Sequence, residues 1–258
     1  MIMSKDWIWQ IVAGLFVIFL LTPLLLVIIF AFSDRALTNF PITSLSLRWW
    51  REMFDNPQFA QALTNSVTIA LAVAVVASLV GTMAALGLAR LPERDARIAI
   101  SVLCLPLMLP PLVLAVALLS FYAFIGMPLS RLTVIISHLL FTLPFVVLVV
   151  YARMASFDWT VVHSARDLGA TPLKAFTTVI LPMIRSTVVG AALVAAALSI
   201  DDFIITFFTI GTGNTLPTLV WGMIRTSLTP AVNAIGTLLI LATLGSSLIA
   251  LYLTRYRG

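Results

Sequence analysis

Long charge-free apolar runs alternate along the chain with short stretches in which the charged residues collect. Runs of this length, apolar on every side, predict helices surrounded by lipid rather than amphipathic surface helices or strands. Six are expected, at 9–32, 65–88, 98–124, 132–151, 187–210 and 231–254. Asp201 and Asp202 interrupt the fifth, and Pro23, Pro106, Pro110, Pro111 and Pro144 fall within the others. Proline persists in a membrane helix where neighbouring helices or cavity water satisfy the freed carbonyls. The dense run Pro106-Leu107-Met108-Leu109-Pro110-Pro111 points to a bent element lining a pathway. The first run is longer than the ~7–15 apolar residues of a signal sequence and precedes no small-residue cleavage site, so an uncleaved anchor is expected. Before the second run, Leu47, Trp50 and Phe54 recur at helical spacing, which predicts a short interfacial helix with that side down.

Composition agrees with the pattern. The 258 residues are 61% hydrophobic and 10% charged, with mean hydropathy +1.12. A soluble domain carries about 25% charged residues, so this chain lacks the polar groups to cover a wet surface, and a soluble enzyme is excluded. The net charge of +5 does not imply nucleic-acid binding, because the basic residues fall singly between apolar runs and form no patch. Cys104 is the single cysteine, which excludes an internal disulfide or a thiolate metal cluster. Six spans put both termini on one side, together with Lys5, Arg90, Arg94, Arg97, Arg153, Arg166, Lys174, Arg185, Arg255 and Arg257. The other side holds Arg35, Arg48, Arg51, Arg131 and Arg225. The excess of positive charge in cytoplasmic loops therefore places both termini in the cytoplasm. A phosphate-binding loop needs Gly-Lys, and the only lysines, Lys5 and Lys174, follow Ser4 and Leu173. No Ser/His/Asp constellation offers itself, and His138, alone in an apolar span, reads as a hydrogen-bond partner of a neighbouring helix. No catalytic residue, cofactor or metal site is expected.

The stretch 152–186 is long for a connection between packed helices, usually ~2–8 residues. Val161, Val162, Ala165 and Leu168 share one side of a helix, Gly169 stands where a left-handed cap would end it, and Pro172 suits the first turn of the next. A compact helix–turn–helix is predicted, its second helix running through Leu181-Pro182 into the fifth span. Here the residues become specific. His163-Ser164-Ala165-Arg166-Asp167-Leu168-Gly169, nine residues, then Val179-Ile180-Leu181-Pro182 resembles the EAA loop of bacterial ABC importer permeases. The family spacing is kept throughout, with His163, Ser164 and Val179 replacing its Glu, Ala and Ile. The six-span layout, Leu198-Ser199-Ile200-Asp201-Asp202-Phe203, Leu216-Pro217 and Pro230-Ala231-Val232-Asn233-Ala234 extend the likeness over nearly the whole chain, most closely to the second permease subunits of spermidine/putrescine importers.

The resemblance implies an all-α membrane protein of the ABC type I importer permease fold, with 1–258 as one transmembrane permease domain of the bacterial inner membrane. It implies alternating-access polyamine import with a second permease subunit, unlike or identical, a cytoplasmic ATPase dimer that supplies hydrolysis, and an extracytoplasmic solute-binding protein. It places His163, Ser164, Ala165, Asp167, Gly169, Ala170 and Thr171 at the contact with the ATPase. A carboxylate at mid-membrane costs about 2.5–3.5 kcal/mol and is functional by default. Asp201 and Asp202 therefore read as pathway residues for a cationic solute, with Phe203 and Trp221 as aromatic surfaces for it. Adjacent residues point about 100° apart on a helix, so one carboxylate faces the pathway while the other bonds elsewhere. A helix cap, or an anchor for an arginine of a second subunit, explains the pair equally well. Two other readings remain open: an ABC permease for a phosphonate, sugar or amino-acid derivative, which Arg225 would suit, and a carrier coupled to protons through Asp201, Asp202 and His138.

Overall fold

The computed structural model describes residues 6–35, 41–42, 44–226 and 229–255, so Lys5 and Arg257 of the charge argument lie outside it. Helices α1 (Asp6–Phe30), α3 (Pro57–Leu88), α7 (Arg131–Ala155), α10 (Leu181–Asp201) and α13 (Ala231–Arg255) carry the long apolar runs. Among the described residues, five segments are long and apolar enough to cross a membrane: 7–30, 57–88, 131–155, 172–201 and 231–252. The third span, expected over 98–124 with a bent element at its prolines, is not one helix. In its place stand α4 (Glu93–Leu103), α5 (Leu105–Met108) and α6 (Pro111–Phe124), separated at Cys104 and at Leu109-Pro110. Pro106, Pro110 and Pro111 lack the N–H that would continue the ladder, and a proline disfavours helical backbone in the residue before it. The expected fifth span is also broken, with α10 ending at Asp201 and α11 (Ile204–Thr209) following. Asp202 there turns extended, at φ −68° and ψ 122°. Helix α3 begins eight residues before the expected start, because Pro57 fits a helix's first position and the Asn56 side chain accepts the Gln58 N–H at 2.9 Å.

The remaining helices are α2 (Arg48–Asp55), α8 (Thr160–Asp167), α9 (Pro172–Ala175) and α12 (Leu216–Thr226), with one π-helical turn at Phe176–Ile180. Backbone contacts divide the chain into two compact units, 1–60 with 219–241 and 61–218 with 242–258. In the first, α2 buries Trp49 and Met53, one turn apart, and the Trp49 indole donates to the Ser33 carbonyl at 2.7 Å. Leu47 and Phe54, expected on the side turned to the membrane interface, are exposed. The burial follows the side on which the indole finds a hydrogen-bond acceptor. Gly236 of α13 lets α1 approach: an added Cβ would stand 3.2 Å from Val27 Cγ1.

The second unit is built around α3, α7 and α10, whose buried Ala77, Ala85, Val146, Val147, Val150, Ile184, Ala191 and Ala195 pack as one cluster. Small residues let helices in lipid approach closely, where dispersion rather than water exclusion drives packing. At one end, the Asn65 amide donates to the Asn214 carbonyl at 2.8 Å and the Leu216 N–H to Ser66 Oγ at 2.9 Å. Gly211, at φ +74°, lets the chain leave α11 against the Leu129 carbonyl, which a Cβ would meet at 2.7 Å. Helices α6 and α7 are tied by the Tyr122 hydroxyl, 2.9 Å from Ser137 Oγ and donating to the Thr133 carbonyl at 3.1 Å.

Candidate functional site

Both breaks in the second unit open onto one cavity of about 520 Å³. Pro106, Leu107, Leu109 and Pro111 line it from the broken third segment, Phe141 from α7, and Leu198, Asp201, Asp202, Phe203, Ile204 and Ile205 from around the break between α10 and α11. The lining is apolar except at Asp201 and Asp202, which the sequence had singled out, and Phe203 beside them. The two carboxylates have different surroundings. Asp201, the last residue of α10, is exposed on the cavity side. Asp202 turns inward and is half-buried: its Oδ2 accepts the Thr206 N–H at 2.8 Å, the Thr206 hydroxyl at 3.1 Å and His138 Nε2 at 3.2 Å. It thereby caps the first turn of α11, whose N–H groups have no helical partner. Both aspartates line the cavity, and Asp202 is the one hydrogen-bonded to neighbouring elements.

His138, 1% exposed on α7, completes that polar cluster. A carboxylate only accepts, so Nε2 carries a proton, and Nδ1 lies 2.8 Å from Ser199 Oγ on α10. The sequence marked His138 as a partner of a neighbouring helix but did not reach Ser199 and Thr206. The available signal was the four-residue step from Asp202 to Thr206, one helical turn. Phe203 and Phe207 lie with ring centroids 5.5 Å apart, and the half-exposed Phe207 extends the aromatic surface. Trp221 belongs to the other unit, on α12, where the Arg225 guanidinium lies 5.2 Å over its ring. Among the described residues, no group of three or more His, Cys, Asp or Glu is placed to hold a metal.

A second feature is the predicted helix–turn–helix. Helix α8 ends with the Gly169 N–H bonded to the Arg166 carbonyl, Gly169 itself at φ +86°, the left-handed position that glycine adopts without penalty. The Thr171 side chain accepts the Lys174 N–H and starts α9 with Pro172 at its first position. The chain continues through the π-helical turn into α10. That turn ends two residues before Pro182, which cannot donate to the carbonyl four residues before it. Val162 and Ala175 are buried with Met154, Phe157, Ile180 and Ile184, which fastens the hairpin to the ends of α7 and α10. At its entrance Asp158 accepts the Thr160 hydroxyl at 2.6 Å and the Thr160 N–H at 3.0 Å, and these bonds hold its carboxyl below the usual carboxylate range. His163, Ser164, Asp167, Gly169 and Thr171 are exposed, and Ala165 and Ala170 partly so. Of the residues that share the apolar side of α8, Val162 is buried, whereas Val161 and Leu168 are exposed, Leu168 to 90%; Leu173 is 73% exposed.

Residues 77–257 match the family described as binding-protein-dependent transport system inner membrane component. The chain belongs to this family. The spermidine/putrescine transport system permease protein PotC of Haemophilus influenzae is 31% identical over 81% of this chain and 82% of its own length. The putrescine transport system permease protein PotI of Escherichia coli is 34% identical over 91% of this chain and 86% of its own. Among solved structures, a bacterial ABC transporter involved in the import of the acidic polysaccharide alginate covers 98% of this chain and 96% of its own at TM-score 0.74 and 17% identity, a likeness of fold. The two polar features, the carboxylate cavity and the exposed hairpin, lie at opposite ends of the helical segment Pro172–Asp201.

Proposed function

We propose that this chain is one permease subunit of an ATP-driven importer of polyamines, acting as a single transmembrane domain with both termini in the cytoplasm. The observation that carries the solute class is Asp201, exposed where the fifth span breaks and lining a cavity that is apolar apart from it and Asp202. A fixed negative charge on apolar walls is complementary to a solute in which ammonium groups are separated by methylenes. Phe203 and Phe141 add ring faces for either part. The names of the relatives support the same class, since both specify spermidine or putrescine. Arg225 does not favour an anionic solute, because its guanidinium is engaged on the Trp221 ring.

Hydrolysis falls to a partner ATPase, to which the hairpin at 160–175 is the docking element. His163, Ser164, Ala165, Asp167, Gly169, Ala170 and Thr171 form its polar and small surface, and the exposed Leu168 and Leu173 its apolar contact. A second permease subunit completes the pathway, and an extracytoplasmic binding protein delivers the solute. Each state of the cycle must differ in affinity for ATP or for the loaded binding protein, because a ligand shifts an equilibrium only by its differential affinity. Competition tests the solute class. Unlabelled putrescine and spermidine should abolish uptake of labelled putrescine through this chain, whereas phosphonates, sugars and amino acids leave it unchanged; competition by any of the latter would contradict the proposal.

A further inference from the structure

We infer that His138 is a positioning residue of the translocation pathway: by holding Asp202 at the break between α10 and α11, it fixes the backbone turn that leaves Asp201 facing the cavity. The inference rests on the polyamine reading above and assigns a role to a residue that touches no solute.

The geometry is that of a clamp. One imidazole, buried on α7, binds three successive parts of the fifth segment: Ser199 in the last turn of α10, Asp202 at the turn and Thr206 in α11. Nε2 lies 3.2 Å from Asp202 Oδ2 and 3.0 Å from Thr206 Oγ1, and Nδ1 lies 2.8 Å from Ser199 Oγ. With Nε2 donating to the carboxylate, Nδ1 is left for the Ser199 hydroxyl, which can donate or accept, so both ring nitrogens are engaged. Asp201 and Asp202 share one peptide plane, so an error in the direction of Asp202 is transmitted to Asp201. His138 is also connected to the cavity wall. Phe141, which lines the cavity, packs its ring 5.3 Å from the imidazole, and the His138 carbonyl accepts the Thr142 hydroxyl one turn on.

Without the clamp, Asp202 keeps its two bonds to Thr206 and α11 can still form. Helix α11 stays joined to α7 at its far end, where the Thr133 hydroxyl donates to the Thr209 carbonyl at 2.6 Å, but the side-chain bonds from α7 to the turn itself are lost. A loss confined to overall stability would reduce every activity of the importer in proportion. A loss of positioning reduces solute movement selectively, because the coupling hairpin lies at the opposite end of α10.

The test uses the assembled importer in liposomes, with labelled putrescine and the loaded binding protein, and measures putrescine moved per ATP hydrolysed. His138→Leu should lower that ratio about tenfold while stimulated hydrolysis stays within about twofold of the native complex. His138→Gln, whose amide can donate to Asp202 and accept from Ser199, should restore the ratio to within about threefold. An unchanged ratio in His138→Leu, or hydrolysis and uptake falling together with no rescue by Gln, would overturn the inference. If the Leu variant does not assemble, the same ratio in His138→Asn, whose shorter amide cannot reach both partners, decides in the same way. A native complex that hydrolyses ATP without moving putrescine or spermidine would instead defeat the polyamine reading, in an arm that does not involve His138.

Discussion

At the scale of single residues, the adjacent aspartates differ in what surrounds them, and their substitutions should separate accordingly. Asp201→Asn removes the charge from the cavity and touches no internal bond of the carboxylate; polyamine uptake should fall about tenfold or more, with the protein at its native level in the membrane. Asp202→Asn weakens the cap of α11, where losing such a bond costs about 0.5–2 kcal/mol, and should lower the amount of folded protein as well as uptake. Immunoblots of membranes alongside uptake read both. Equal phenotypes would contradict the division of roles. The sequence shows that two neighbours on a helix diverge, but which one turns inward depends on His138, 64 residues away from Asp202, and on Thr206. A second prediction concerns packing. An added Cβ at Gly81 would stand 2.8 Å from Val146 Cγ1 and 3.1 Å from its Cβ. Ala is favoured over Gly in a helix by about 1 kcal/mol, whereas overpacking costs about 1–3 kcal/mol. The stiff valine has little freedom to yield. Gly81→Ala should therefore lower the melting temperature of the purified protein, and Val146→Ala in the same chain should recover part of it.

Elements follow the apolar pattern closely where it is uniform and poorly where the chain must bend or meet a partner. The runs that became α1, α7 and α13 were legible to within a few residues because length and hydropathy suffice. The third was not: its apolar character is continuous, and only the prolines mark Cys104 and Leu109-Pro110 as the places where the helix stops. The hairpin shows a different limit. Gly169 and Pro172 located its turn, but of the apolar side shared by Val161, Val162, Ala165 and Leu168 only Val162 is buried. Periodicity reports that a residue is apolar, not whether its own chain or another covers it. Leu168, exposed at the tip, is the residue on which the docking proposal can be tested at this scale. Leu168→Glu should reduce co-purification of the ATPase about tenfold, since an apolar anchor at an interface carries a large share of its energy, and leave the permease level unchanged. Retention of the ATPase at native levels would place the contact elsewhere.

For the whole molecule, the account joins a cavity at one end of α10 to a docking hairpin at the other, through one helical segment running from α9 to Asp201. A rigid element of that length can carry a displacement of the hairpin to the carboxylate cavity, which is what an importer powered from outside its membrane subunit requires. Orientation belongs to this scale. Reporters fused after residue 255 and in the 160–175 hairpin should both read cytoplasmic, and one placed at Gly126 should read outside; any other combination would contradict the arrangement inferred from the arginine and lysine distribution. The most direct test of the central claim is uptake of labelled putrescine and spermidine in cells lacking this chain and in cells with it restored, at matched membrane potential. The account predicts uptake that returns with the chain, depends on ATP and survives collapse of the proton gradient. Uptake that follows the proton gradient and ignores ATP, or no difference between the two cells for either polyamine, would contradict it.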